Sequence, residues 1–529
     1  MKHPPSHYWQ RFQQATQVER DRFQAALIQP RRTQQQILHG ILEENRDTVV
    51  GRAYDFATIT DYASFCQRVP IYTYDDLAPW IRRTAAGEPK VLTAEPAIAF
   101  ELTGGSTQGA KLIPYTRSGI QGFQRAVFTW LGDLITHRPA IRQGRTYWAI
   151  SPVARQAAAT EGGIPIGLAS DAAYFGEEVG AWIGELLAVP THLAAIAQVD
   201  EWRYQTVLHL LAAADLSFVS VWSPTFLLQF VDEMQRSGDR LVKDLHHGTA
   251  TLSAHPARAA AIKAAFATAP LDLSCIWPQL DTISCWTSAA SRAFLPRLQS
   301  HCPRVWIQGK GLLATEGVVT LPQMGCSAPV LALRSGFYEF LDEAHRPYLC
   351  HQLQVGQDYR VVMTTASGLY RYDLGDRVRV VGWHQQTPLL EFVGRAGLTS
   401  DLCGEKLTEA FIVNQFRALQ LEFTAGAFMM LVPSLESHPH YVLVVDGAEC
   451  DEAIAPLLLH RLDQRLSINP QYAYARQISQ IHPPKLYRVQ QPLESYLRSR
   501  LQQGQRLGDI KPPVLSTSPE AMKQFQPYR

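Results

Sequence analysis

The segment Thr103-Gly-Gly-Ser-Thr-Gln-Gly-Ala-Lys111 holds the densest set of groups able to grip phosphate. Its glycines let the backbone turn tightly and present N–H groups. Ser106 and Thr107 add hydroxyl donors, and Lys111 adds a charge. The apolar run before it, Ala97 to Leu102, reads as a strand leading into the loop. An ordinary Gly/Ser/Thr turn has much the same composition, so spacing has to separate the two. A Walker A loop needs G-x-x-x-x-G-K-[ST]. Gly104 to Gly109 supplies that glycine spacing, but Ala110 displaces the lysine by one and Leu112 follows it where a hydroxyl is required. The dinucleotide fingerprint G-x-G-x-x-G also fails here.

Four further windows carry groups suited to nucleotide chemistry. Gly311-Leu-Leu-Ala-Thr-Glu-Gly317 offers Thr315 and Glu316, and a single glutamate beside phosphates suits Mg2+, which takes one or two carboxylates plus phosphate oxygens and waters. Tyr370-Arg-Tyr-Asp-Leu-Gly-Asp376, followed by Phe392-Val-Gly-Arg395, offers two acids, and a carboxylate with two acceptor oxygens matches a vicinal diol. Gly404-Glu-Lys-Leu-Thr-Glu409 and Gly504-Gln-Arg-Leu-Gly-Asp-Ile-Lys-Pro-Pro513 each present one lysine, Lys406 and Lys511. Taken singly, each has a plainer reading as a turn or a solvent-facing lysine.

The first loop fits T-[SG]-G-[ST]-T-x-x-x-K, the phosphate loop of adenylate-forming enzymes. Nearly end to end, the chain resembles the auxin-responsive acyl-acid amido synthetases (the Gretchen Hagen three family), a branch of that superfamily. Phe65-Cys-Gln-Arg-Val-Pro70, Tyr74-Asp-Asp-Leu77, Gly87-Glu88, Lys111-Leu-Ile-Pro-Tyr-Thr116, Ser223-Pro-Thr-Phe-Leu-Leu228 and Phe337-Tyr-Glu-Phe340 carry the resemblance together with the windows above. It implies that Thr103, Gly105, Ser106, Thr107 and Lys111 contact the β- and γ-phosphates of ATP, and that Thr315 and Glu316 meet the adenine and Mg2+. It further implies that Asp376 holds both ribose hydroxyls, with Asp373 ranked second, and that Arg395 meets the ribose or phosphates. Lys406 would sit near the acyl and α-phosphate oxygens, and Lys511 would be the mobile lysine that supports adenylation. Two positions depart from the family's pattern: Leu312 stands where many relatives carry tyrosine, and Asp509 where they carry glutamine.

The implied activity joins a carboxylic acid to an amino acid through an acyl-adenylate, with ATP and Mg2+ as cofactors. The alternatives are an acyl- or aryl-CoA ligase using a thiol acceptor, and a non-catalytic nucleotide-binding relative. Trp222, Phe226, Trp286 and Phe337 are candidates for an acyl pocket, although core is the commoner fate of each residue singly.

Composition narrows the setting. In 529 residues, 49 lysines and arginines balance 48 aspartates and glutamates, a net charge of +1. That balance argues against a protein that neutralises nucleic-acid phosphates. With 46% hydrophobic residues the chain can bury a large core and is too apolar to be disordered. None of the eight cysteines forms a C-x-x-C pair, so they read as reduced thiols. The first ten residues hold no apolar signal run, and Glu185, Pro190 and His192 interrupt the most apolar stretch, Ala181 to Ala197. The expectation is a cytoplasmic monomer without a nucleic-acid or membrane partner.

The elements that must position these residues follow from periodicity. Residues 1–65 read as helices; Val207 to Ala214, Phe218 to Trp222 and Phe226 to Met234 read as helix, strand and helix, with Ser223 as an N-cap. Such alternation predicts an α/β architecture with a parallel sheet. Tyr359–Thr365, Arg377–Val381 and Leu389–Val393 read as antiparallel strands or a small barrel, and Gly397 to Gly404 as a hinge. With the resemblance, the expected fold is a large adenylation domain over 1–400, with mixed β-sheets flanked by helices and a small β-barrel-like region. A small mobile α+β domain follows over 401–529. The last 45 residues hold eight lysines or arginines against three acids, the clearest charge asymmetry in the chain.

Overall fold

The computed structural model describes residues 3–103, 111–148, 158–167, 174–268, 271–395, 398–423, 428–436, 438–450, 452–505 and 507–528. The chain separates into two compact units. The larger comprises 1–222, 230–285 and 302–392; the smaller comprises 223–229, 286–301 and 393–529. Among the described residues no helix is long and apolar enough to cross a membrane.

The larger unit opens with helices Pro5–Leu27, Pro30–Asn45, Val49–Ala53 and Tyr62–Arg68, as the polar-apolar spacing predicts. Gln34 fastens the second of them: its Nε2 donates to the Leu333 and Gly336 carbonyls, and its Oε1 accepts from the Tyr338 N–H. Strands β1 (Ala99–Thr103) and β2 (Lys111–Tyr115) pair antiparallel, Thr103 opposite Lys111. The helix Arg117–His137 follows directly, its first turn capped by Thr116 Oγ1, which accepts from the Gly119 N–H at 3.0 Å.

The predicted parallel sheet consists of β3 (Arg145–Trp148), β6 (Leu216–Ser220), β7 (Thr282–Cys285) and β8 (Trp306–Gly309), in the order β3-β6-β7-β8. Every residue of β6 and β7 is buried, as strands covered on both faces require. The short strands β4 (Ala158–Ala159) and β5 (Pro165–Ile166) extend the β1–β2 pair, with β5 parallel to β1. The helix Val199–Ala212 precedes β6, and Pro224–Arg236 follows it with proline in the first turn. Ser223 Oγ accepts from the Thr225 N–H at 3.3 Å, in line with its expected capping role.

The predicted antiparallel region is a seven-stranded sheet. Its strands are β11 (Thr320–Leu321), β12 (Val330–Leu331), β13 (Phe337–Leu341), β14 (Pro347–Leu349), β15 (Asp358–Thr364), β16 (Tyr372–His384) and β17 (Thr387–Arg395). The order is β11-β12-β17-β16-β15-β13-β14. A hairpin of β9 (Leu313–Ala314) and β10 (Gly317–Val318) links the parallel sheet to it.

In the smaller unit β18 (Thr399–Ser400) pairs with β19 (Leu407–Thr408). Strands β20 (Met429–Ser434), β21 (His440–Asp446) and β22 (Lys485–Val489) form a second sheet. The helices Glu409–Phe423 and Ala455–Leu466 supply Ile412, Phe416, Leu419, Leu458 and Leu462 to this unit's own core.

Candidate active site

The Thr103–Lys111 window lies between two paired antiparallel strands. Gly105, Ser106 and Thr107 fall outside the described residues; Thr103 ends β1 and Lys111 begins β2. Lys111 is half-buried, with its ammonium 5.3 Å from the Tyr74 ring centroid. Tyr74 is fixed in turn, its hydroxyl accepting from the Leu112 N–H at 2.9 Å.

Thr315 and Glu316 occupy the turn of the β9–β10 hairpin, whose arms pair Ala314 with Gly317 and Leu313 with Val318. This is a turn between two strands. Gly311, at the hairpin's foot, has no room for a side chain, since a Cβ there would lie 2.0 Å from the Thr320 carbonyl oxygen. The Tyr115 hydroxyl donates to the Thr315 carbonyl at 2.6 Å, and the Tyr372 hydroxyl donates to Glu316 Oε1 at 3.2 Å. Glu316 is buried. Leu312 is buried in the hydrophobic core and donates its N–H to Thr320 Oγ1 at 2.7 Å, so it offers no open aliphatic face for adenine.

Glu101, inside the apolar run, points from the middle of β1 into the same neighbourhood. It is buried, and Tyr174 donates its hydroxyl to Glu101 Oε1 at 2.9 Å. Burial, then Glu101 and Glu316, push the Tyr115 phenol well above its ordinary range and keep it a donor. Sequence reading missed Glu101, Tyr115, Tyr174 and Tyr372 as site residues. The one local signal was an acid standing alone in the apolar run Ala97–Leu102.

The two acids of the next window part company. Arg360 pairs with Arg377 and Val362 with Asp373, so Leu374-Gly375-Asp376 stands against Val361 alone as a bulge within β16. Gly375 takes φ +76° there, a conformation glycine adopts without strain. The plain reading of Gly375-Asp376 as a turn between strands is thereby replaced by a bulge inside one strand. Asp373 is taken up locally: it accepts from the Gly375 N–H at 3.0 Å and pairs with Arg360 at 3.2 Å. Asp376 is buried and re-aimed by the bulge.

Arg371, between those acids and Tyr370, is the best-anchored residue of the window. It is 4% exposed, and its guanidinium binds Glu339 at 2.7–3.2 Å and the Val69 carbonyl at 2.7 Å. Tyr62 also donates to Glu339, at 2.8 Å. This buried lock sets the backbone immediately before Tyr372, the partner of Glu316.

In the smaller unit Arg395 ends β17 with its side chain exposed. Lys406 is lifted outward by its neighbour. Glu405 is fully buried and accepts from the Leu402 and Cys403 N–H groups, both at 2.7 Å, and from the Tyr441 hydroxyl. The turn so built leaves Lys406 exposed with φ +48°. Lys511 is also exposed, its ammonium 3.8 Å from the Trp286 ring centroid. Buried Ile510 precedes it, and Val514 follows, its carbonyl accepting from the Leu431 N–H at 2.8 Å.

The four acyl-pocket candidates are divided between the units, Trp222 and Phe337 in the larger, Phe226 and Trp286 in the smaller. Trp286 holds Lys511, and half-buried Trp222 lies in the larger unit with Lys310 5.3 Å from its ring. Phe226 is buried on the helix after β6. Phe337 is buried, 1% exposed and packed against Tyr62 and Phe65 with ring centroids 6.0 and 6.1 Å away, the core fate that is the commoner one for such a residue.

The fold is that of adenylate-forming ligases. It is similar to that of a GH3.15 acyl acid amido synthetase in complex with 2,4-DB, with a TM-score of 0.86 at 19% identity over 97% of this chain and 95% of that one. A 2-hydroxyisobutyryl-CoA ligase in its postadenylation state is more distantly similar, with a TM-score of 0.55 at 12% identity over 93% and 90%. Residues 19–307 match the GH3 family N-terminal domain, 329–395 the GH3 family central domain and 407–520 the GH3 family C-terminal domain. The chain belongs to the GH3 family. It is 26% identical to a probable indole-3-acetic acid-amido synthetase GH3.12 of Oryza sativa subsp. japonica, over 71% of each chain. It is 25% identical to the jasmonoyl–L-amino acid synthetase JAR6 of Nicotiana attenuata, over 76% of this chain and 74% of that one. It is 24% identical to the indole-3-acetic acid-amido synthetase GH3.10 of Arabidopsis thaliana, over 86% and 87%.

Proposed function

We propose that this chain is an ATP-dependent acyl-acid amido synthetase that activates a carboxylic acid as its acyl-adenylate and passes the acyl group to an amino acid. The observation that carries the reading is the family match through three consecutive segments, which hold Lys111, Asp376 and Lys511, with Glu316 and Lys406 in the short stretches between them.

A carboxylate is a poor acyl donor because oxide would have to leave. The reaction therefore runs in two steps. A carboxylate oxygen attacks the α-phosphorus of ATP, the bond to the bridging oxygen breaks, and pyrophosphate departs. A neutral amine then attacks the acyl carbon, the bond to the AMP oxygen breaks, and the nitrogen loses a proton. Lys111 and the loop before it hold the β- and γ-phosphates. Lys511 and Lys406 neutralise charge on the reacting phosphate and acyl oxygens, where a point cation lowers the barrier. Arg395 meets the ribose or phosphates. A swing of residues 401–529 between the half-reactions belongs to the same proposal.

Glu316 fits Mg2+: one carboxylate, steadied by Tyr372, leaves the remaining ligand positions to phosphate oxygens and water. Among the described residues no group of three or more His, Cys, Asp or Glu forms a metal cage, so the ion would arrive with the nucleotide. When bound it would offset phosphate charge. The setting is cytoplasmic and the enzyme acts as a monomer.

Asp376 is the ribose ligand in this account, and Asp373 a structural acid. Asp376→Asn is expected to raise the KM for ATP about tenfold, the worth of a hydrogen bond to a charged group. Asp373→Asn is expected to leave that KM unchanged and to lower thermal stability. Steady-state kinetics on both variants checks the assignment, and the reverse pattern would exchange the two roles.

The acceptor is tested by mass spectrometry of the products formed from ATP and a panel of carboxylic acids, with either mixed amino acids or coenzyme A. Amide conjugates formed with amino acids and no thioester support the reading. Thioesters alone would make the chain a CoA ligase.

A further inference from the structure

Segment 514–528 of the smaller unit runs along both outer strands of its sheet. The order β20-β21-β22 leaves β20 and β22 as the edges. At the β20 edge, Leu515 forms a parallel bridge with Leu431. The Leu431 N–H donates to the Val514 carbonyl, and the Ser516 N–H donates to the Leu431 carbonyl, both at 2.8 Å. The chain then crosses as a short 3-10 helix, Pro519–Gln524, opened by Ser518, whose Oγ accepts from the Glu520 N–H at 3.3 Å. At the β22 edge, Pro527 forms an antiparallel bridge with Val489. The Gln490 N–H donates to the Gln526 carbonyl at 3.1 Å, and the Tyr528 N–H donates to the Arg488 carbonyl at 2.9 Å. One segment thereby covers two edges, where strands otherwise present unpaired N–H and C=O groups.

Two rings fasten its far end. Phe525 is buried, with its ring centroid 5.9 Å from that of Phe428 in an edge-to-face arrangement. The Tyr528 ring fills the space beside Gly447 where a side chain would go: a Cβ on Gly447 would lie 2.1 Å from Tyr528 Cγ. The Gly447 backbone lies outside the left-handed region, so conformation does not call for glycine there; the ring does. The Arg488 guanidinium covers the same ring, 5.0 Å from its centroid, and donates through Nη2 to the Gly447 carbonyl at 3.1 Å. The Gly447 N–H donates to the Val489 carbonyl at 2.8 Å.

The near end of the segment bears on Lys511. Val514 follows that lysine by three residues, with buried Pro512 between them. A pin of two hydrogen bonds on an edge strand is weak alone, because each is worth little net of water, and segments held by few contacts open locally. The fastening at Phe525 and Tyr528 keeps the segment from lifting off Leu431.

We propose that Tyr528, seated on Gly447, is a positioning residue for adenylation. It holds segment 514–528 closed along both sheet edges and so fixes the backbone from which Lys511 reaches. It touches no substrate, and its effect passes through Lys511. The proposal rests on the amido synthetase reading and on the role given there to Lys511.

The test is single-turnover pyrophosphate release by the full chain, beside hydrogen exchange of the Leu431 and Ser516 amides. The probes are saturating MgATP with indole-3-acetate, benzoate or jasmonate, whichever the wild type turns over fastest. Tyr528→Ala is expected to slow release by about tenfold, the worth of the hydrogen bonds at Leu431, with half-saturating ATP and acid within about twofold of wild type. Gly447→Ala drives the ring out and is expected to do the same, whereas Tyr528→Phe keeps the ring and the rate. In Lys511→Ala enzyme, adding Tyr528→Ala should cost less than about twofold more, because the group it positions is gone. A purely structural role would slow both backgrounds alike. The Leu431 and Ser516 amides should exchange about tenfold faster in Tyr528→Ala, while those of β21 keep their wild-type rates. A wild-type rate of release or of exchange in Tyr528→Ala, or equal slowing in Lys511→Ala enzyme, overturns the inference. If Tyr528→Ala does not fold, Gly447→Ala gives the same two readings and decides. Failure of the functional reading shows separately: the wild type then releases no pyrophosphate with any of the three acids, whatever the exchange rates.

Discussion

Lys511→Ala is expected to slow acid-dependent pyrophosphate release by about 10²–10³-fold while ATP binding stays within about threefold of wild type. The expectation follows from position and charge. Charge builds on the transferred phosphate during adenylation, and a cation aimed at it acts on the transition state more than on the ground state. The backbone around Lys511 is secured by buried Ile510 and by the bond between Val514 and Leu431, whereas its side chain is exposed and rests on Trp286. Removing the ammonium therefore leaves the fold intact. Trp286→Leu should change the rate far less, because a cation–π contact at such a site is worth about 0.5–1 kcal/mol. Single-turnover measurement of pyrophosphate separates adenylation from acyl transfer. Wild-type-like release by Lys511→Ala would remove the role given to this lysine.

Arg371→Met is expected to cost about 3–5 kcal/mol of stability, the range for breaking a buried ion pair from one side. The variant leaves the Glu339 carboxylate in the core with only the Tyr62 hydroxyl and the Cys66 thiol donating to it among the described residues, and strips the Val69 carbonyl of its Arg371 donor. Arg371→Met combined with Glu339→Gln should cost less than the sum of the two single changes, because no unpaired charge is then buried. Urea unfolding followed by tryptophan fluorescence reads all three variants. A loss below about 1 kcal/mol for Arg371→Met would contradict the burial and geometry of this pair. The lock also bears on chemistry: it holds the chain just before Tyr372, which donates to Glu316. Any Arg371→Met enzyme that folds should therefore need more Mg2+ for full activity.

Much of the fold was legible because periodicity reports one element at a time. The opening helices, the strand at Phe218 and the antiparallel run from Tyr359 all appear near their expected places. The motif windows named Lys111, Glu316, Asp376, Lys406 and Lys511 as candidates, because their neighbours in sequence carry the pattern. What stayed hidden depends on contacts between distant segments. Tyr174 meets Glu101 across 73 positions, Tyr115 meets Thr315 across 200, and Lys310 meets Ser220 across 90. No nine-residue window can show such pairs. Phe337 shows the converse: an aromatic residue at a strand start fits a pocket wall or a core, and its contacts with Tyr62 and Phe65 were not readable from its own segment. The bulge that re-aims Asp376 was equally invisible, since Gly375-Asp376 reads as a plain turn until the β15–β16 register is known.

The central claim is that the acid's carboxylate attacks the α-phosphorus of ATP. It is tested most directly with a carboxylic acid labelled with 18O at both carboxyl oxygens, turned over with ATP and an amino acid, with the products weighed by mass spectrometry. The account predicts one 18O in AMP, one in the amide, and none in pyrophosphate. ADP formed together with labelled orthophosphate, or an amide formed with unlabelled AMP, would contradict it.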